Sequence, residues 1–133
     1  MTTSGARSKM IKRKILLVIS ICFLIGGIAR LLANEGVFRL FMMEHLWSGD
    51  PFFIYIYRLL GVFVIWIGII LFLCSKDIAK YRSIIVGSMF ALALFFVVSL
   101  VTGLCVGLGL KFFLVDSIFS LFLVIVLYII QKN

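Results

Sequence analysis

Four long apolar runs, at about residues 15–32, 52–74, 83–103 and 111–130, are separated by short polar segments and preceded by a basic one. Each run is close to the roughly 20 residues that, at about 1.5 Å of rise apiece, a hydrocarbon core of about 30 Å demands. The pattern predicts an all-α membrane protein: four transmembrane helices in an antiparallel bundle, with residues 15–133 as a single domain behind a polar, disordered tail at 1–14. The first run follows basic residues as a signal peptide would, but it is longer than such a core and no small-residue cleavage site follows, so it reads as a retained helix.

Between the first two runs, Glu35, Arg39, Glu44, His45 and Asp50 are interspersed among Val37, Phe38, Leu40, Phe41, Met42, Met43, Leu46 and Trp47. That mixture suits a short helix lying in the membrane interface with Trp47 at headgroup level. Pro51, the one proline, fits the first turn of the next helix, where a missing N–H costs nothing, and Ser48 or Asp50 would cap it. Ser75-Lys76-Asp77 reads as a tight turn that lays the second and third helices side by side. The glycines at 103, 107 and 109 should end the third helix and allow a compact re-entry.

Composition agrees: of 133 residues 65% are hydrophobic and only 14% charged, against about a quarter charged in soluble domains. The formal net charge of +8 does not imply nucleic acid, because Lys and Arg form no folded basic face interleaved with aromatics. Five of them stand in the tail (Arg7, Lys9, Lys12, Arg13, Lys14) and three around one loop (Lys76, Lys80, Arg82). This distribution places both termini in the cytoplasm and the segment between the first two spans outside.

Two residues carry opposite charges inside apolar runs. By rise alone Arg58 lies about 9 Å and Asp116 about 8 Å below the outer boundary, so an ion pair between them is sterically open. A charge at such depth costs energy and persists where it is paired, solvated or used. Arg58 and Asp116 therefore read as a bundle-locking pair, or as part of a polar pocket for a ligand or lipid headgroup; Arg58 alone would snorkel outward beside Tyr55 and Tyr57. Arg30, near the outer end of the first span, and Ser120, one turn beyond Asp116, join this candidate site, which thus comprises Arg58, Asp116, Arg30, Tyr55 and Ser120.

Gly61 and Gly68 share the Arg58 face of the second helix, and Ser83, Gly87 and Ala91 form a row of small residues in the third, both patterns of close helix packing. Cys22, Cys74 and Cys105 show no metal or CxxC spacing and read as small buried hydrophobes. With one histidine, His45, the sequence offers no catalytic or metal site and requires no cofactor.

The run Tyr57-Arg58-Leu59-Leu60-Gly61, Gly68 seven residues on, the basic turn Ser75-Lys76-Asp77 and an acidic residue early in the last helix together resemble the small bacterial four-helix membrane proteins grouped as BphX-like and DoxX-like. The resemblance covers about residues 52–131 and implies a four-helix bundle in a bacterial inner membrane, from families some of whose members are linked to redox or catabolic pathways. No cysteine pair here is spaced for thiol chemistry, which argues against a redox role. The leading expectation is a non-enzymatic protein, an accessory subunit or a binder of a small amphipathic ligand or lipid in an outward polar layer, with membrane lipids and a second copy or another membrane protein as partners. One alternative is a proton-coupled exporter using Asp116; the first acidic residue, Glu35, lies beyond the first helix, where exporters of this size carry their carboxylate. A second alternative is a quinone-linked redox component.

Overall fold

The computed structural model describes residues 2–132; Met1 of the expected tail and Asn133 lie outside the described residues. It is all helical: α1 (Thr2–Leu31), α2 (Glu35–Leu40), a 3-10 turn (Glu44–Leu46), α3 (Pro51–Lys76), α4 (Arg82–Cys105) and α5 (Leu110–Gln131). Four of these, α1, α3, α4 and α5, are long and apolar enough to cross a membrane. The chain divides into two compact units, Met1–Lys76 and Asp77–Asn133.

In the first unit α1 and α3 pack antiparallel through glycines. Gly27 faces Gly61 and Ile65, and Gly68 faces Leu24; a Cβ on Gly27 would lie 2.8 Å from the Ile65 backbone nitrogen. Without the missing side chains the backbones could not approach this closely, and dispersion contacts then accumulate along the seam. Leu16, Ser20 and Leu71 are fully buried. At the far end the Arg13 guanidinium Nε donates to the Ser75 carbonyl at 2.9 Å.

The basic tail is a correction: it is helix from Thr2 onward, continuous with the first span. Ala, Arg, Lys and Met are good helix formers, and extending an existing helix avoids the cost of nucleating one. The expected turn also moves. Ser75 and Lys76 finish α3, with the Ser75 hydroxyl donating to the Phe72 carbonyl at 2.6 Å, and the connection is residues 77–81. A serine whose hydroxyl bonds back to its own helix leaves nothing unsatisfied, so the helix continues through it.

The connection from α1 to α3 is helical where an interfacial helix was expected. Asn34 caps α2, its side-chain oxygen accepting from the Val37 N–H at 2.9 Å. Asp50 rather than Ser48 caps α3: its Oδ1 accepts from the N–H groups of Phe52 (2.7 Å) and Phe53 (3.3 Å), with Pro51 in the first helical position. Ser48 supports the cap by accepting from the Asp50 N–H at 3.2 Å.

In the second unit α4 and α5 also run antiparallel. Arg82 reaches Gln131 with Nε and Nη2 at 3.3 and 3.2 Å, the Ser99 and Ser117 hydroxyls meet at 3.2 Å, and the Phe113 ring seats on Gly103. Gly107, with φ of +71°, ends α4: the Leu108 N–H reaches the Gly103 carbonyl at 2.9 Å and the Gly107 N–H that of Leu104 at 3.2 Å. This two-bond closure is what a left-handed glycine makes possible. Of the cysteines expected to be buried, only Cys74 is; Cys22 and Cys105 are exposed. A thiol is apolar enough to sit on a helix face that meets acyl chains, so burial by protein is unnecessary.

Candidate functional site

The last turn of α1 ends in carbonyl groups that have no helical partner and carry the negative end of the helix dipole. Two arginines lie near it, one bonding a carbonyl just beyond the helix and one a carbonyl a turn inside it. The Arg58 Nη2, from α3, donates to the Ala33 carbonyl at 3.4 Å, and the Arg30 Nη1 folds back to the Gly26 carbonyl at 3.2 Å. Position 26 permits this return, since a Cβ there would lie 3.2 Å from the same Nη1. The Arg30 guanidinium also stands 5.9 Å from the centre of the Tyr57 ring, within range of a cation–π attraction.

Arg30 is only partly satisfied by these contacts. Its Nε is buried and has no hydrogen-bond partner. Leaving a buried donor unpaired costs about 1–3 kcal/mol, more when the group is charged. The three carboxylates of the first unit are engaged elsewhere: Arg39 takes Glu44 at 3.0 Å and Glu35 at 3.4 Å, and Asp50 caps α3. Among the described residues no salt bridge involves Arg30.

Beside this guanidinium is a half-open cavity of about 340 Å³, walled by Ile25, Ala29 and Arg30 of α1, Phe38 and Phe41 of the connection and Tyr57 of α3. Arg30 is its one charged wall residue. Phe38, only 3% exposed, fixes the connection above the helices, with ring centres 5.1 Å from Trp47, 5.1 Å from Tyr57 and 6.3 Å from Phe53. Edge and tilted ring contacts of this kind add to simple burial. The cavity therefore combines an apolar, aromatic wall with a single cationic group whose inner nitrogen lacks a partner. That chemistry suits an amphiphile with a negative or strongly accepting head.

Of the residues expected at the site, Arg30 and Arg58 come together at the end of α1. Tyr55 is 60% exposed and does not line the cavity; Tyr57, two positions on and so turned by about 200° around the helix, takes the role. Asp116 and Ser120 belong to the second unit, Asp116 exposed and Ser120 buried, its hydroxyl donating to the Ser117 carbonyl at 2.9 Å. Phe38 and Phe41 carry no polar signal in the sequence, and only the fold brings them over Arg30. Among the described residues, no three His, Cys, Asp or Glu side chains gather where they could hold a metal ion.

The fold and site together define an all-α protein with four helices fit to span a membrane. Comparison with known proteins adds no family to that class: no family model, curated protein or solved structure matches the chain.

Proposed function

We propose that this chain is a non-enzymatic, multi-pass protein of the cell inner membrane that binds a small amphipathic molecule or lipid at the Arg30 cavity. Both termini lie in the cytoplasm in this reading, and the connection over the cavity faces outward. The clustering of Lys and Arg in the first fourteen residues and around the 76–82 loop supports that orientation, as does the even number of apolar helices. The observation that carries the reading is Arg30, the one charged residue on the wall of an otherwise apolar cavity and in no salt bridge among the described residues. A cation near the membrane surface is a cost to the bare protein, and a ligand with a negative head beside the guanidinium would lower it. The protein would then serve as an accessory subunit or carrier in the membrane, of the general kind that the BphX-like and DoxX-like resemblance suggests.

Native mass spectrometry of the protein, purified in a mild detergent, tests this directly. An amphiphile that co-purifies with the wild type and is lost from a folded Arg30→Gln variant is the expected result. The same bound species on both proteins, or none on either after reconstitution in total membrane lipid, would overturn the assignment of the site.

A further inference from the structure

The opposite end of the first unit carries a second feature, independent of what occupies the Arg30 cavity. We infer that the basic part of α1, residues 7–14, is a collar that gathers anionic phospholipids, their phosphate headgroups packed around the helix where it leaves the hydrocarbon.

The charge there has one sign. Arg7, Lys9, Lys12, Arg13 and Lys14 lie in α1 and Lys76 closes α3, while no acidic residue precedes Glu35, beyond the far end of α1. Asp77, the first acidic residue after α3, has its carboxylate engaged by the Lys80 N–H at 3.1 Å. Among the described residues no ion pair or hydrogen bond engages the side chains of Arg7, Lys9 or Lys14. The counter-charge therefore comes from outside the chain.

The shape of the collar selects a lipid. Because α1 is helical from Thr2 onward, its residues advance by about 100° each, and the five cations surround the axis with no gap wider than about 140°. Arg13 already bonds the Ser75 carbonyl near the end of α3, and residues 3–11, which precede it, are all exposed. A soluble nucleic acid or acidic protein would meet one side of such a rod, whereas headgroups around an emerging helix meet every side. From Arg7 to Lys14 the helix rises about 10 Å. That is within the headgroup layer, about 5–8 Å deep, plus one Debye length of about 8 Å. Met10 and Ile11, 51% and 46% exposed, stand among the cations, as apolar side chains do in helices that settle at a lipid boundary.

The test uses the full chain in nanodiscs of equimolar phosphatidylcholine and phosphatidylglycerol with identical acyl chains. After transfer to mild detergent, native mass spectrometry counts the lipids that stay bound. The wild type should retain phosphatidylglycerol in preference, and added salt should weaken that preference. One cation near an anionic surface is worth about fivefold in affinity, so the triple variant Arg7→Gln, Lys9→Gln, Lys14→Gln should lower the ratio of bound phosphatidylglycerol to phosphatidylcholine at least about fivefold. Lys9→Gln alone should lower it part of the way, and the charge-keeping triple Arg7→Lys, Lys9→Arg, Lys14→Arg should retain it. Unchanged amide exchange around Gly27 and Gly61 shows that α1 and α3 still pair in each variant. Any lipid held at Arg30 counts equally in all of these proteins and cancels from the comparison.

The same ratio in the wild type and the neutral triple variant would overturn the collar, as would an equal loss in the charge-keeping one. Inorganic phosphate that erases the preference where chloride of equal ionic strength does not would assign the cations to the free anion. Polyglutamate or a single-stranded oligonucleotide bound by the wild type and not by the neutral variant, with no preference among lipids, would assign them to a soluble partner and overturn the lipid.

Discussion

Gly27 and Gly61 face each other across the seam of α1 and α3 so closely that a Cβ built on either would lie 2.9 Å from the other's carbonyl oxygen. The obstacle on each side is backbone, which no rotamer change can move aside. Gly27→Ala and Gly61→Ala should therefore each force the helices apart and cost about 1–3 kcal/mol, the usual range for overpacking. Gly87, with nothing within 4 Å of its would-be Cβ, is the control. Gly87→Ala should be neutral or stabilise by up to about 1 kcal/mol through helix propensity. Thermal unfolding in detergent distinguishes the three, and equal losses at all of them would sink the seam as described.

Phe38 links the connection to the helices, since its ring meets Trp47, Phe53 and Tyr57 and it is almost wholly buried. Truncating a buried phenylalanine costs about 3–5 kcal/mol where the surroundings cannot collapse. Phe38→Ala should release the 33–50 segment before the helices melt. A red shift of Trp47 emission, with α1 and α3 amide exchange unchanged, is the expected sign. An unaltered Trp47 environment would mean that the connection is held by something else.

Arg13 fastens the other end of the first unit through its 2.9 Å bond to the Ser75 carbonyl. The side chain is exposed, so the bond is worth about 1 kcal/mol at most rather than the larger value of a buried charged contact. Arg13→Ala should raise hydrogen exchange in the last turn of α3, whereas Lys9→Ala, at a position with no such anchor, should leave it unchanged. Identical exchange in both variants would count against the staple.

How much of this was legible in the sequence follows from which forces are local. Hydropathy and length placed all four long helices, because a spanning helix satisfies its own backbone and needs no partner to be recognised. Asp50, Pro51 and Gly107 announced their boundaries by chemistry confined to a turn. Gly61 and Gly68 marked a packing face correctly, yet nothing in their spacing said that α1 would cover it. The first fourteen residues read as a disordered tail because charge suggests solvation, while helix propagation from an adjoining span is a cooperative effect that composition does not display. Arg30 was visible as a cation near a helix end. Its isolation was not, since that depends on Arg39 taking two glutamates and on two phenylalanines folding over the same turn.

Within the second unit, Ser99 and Ser117 provide the one hydroxyl pair between α4 and α5, among the described residues, at 3.2 Å. Ser117 is 2% exposed, so in lipid its hydroxyl has no water to fall back on. Hydrogen bonds between membrane helices nonetheless average only about 0.6 kcal/mol by double-mutant cycle, because the separated helices find other partners. Ser99→Ala and Ser117→Ala should accordingly couple by about that amount. Ser120 makes the contrast: its hydroxyl donates to the Ser117 carbonyl on its own helix, a bond that survives separation of α4 from α5. Ser120→Ala should thus show no coupling to Ser99→Ala. A cycle on unfolding free energies in detergent that couples Ser99 to Ser120 as strongly as to Ser117 would show that the hydroxyls act through general packing and not through the bond between the helices.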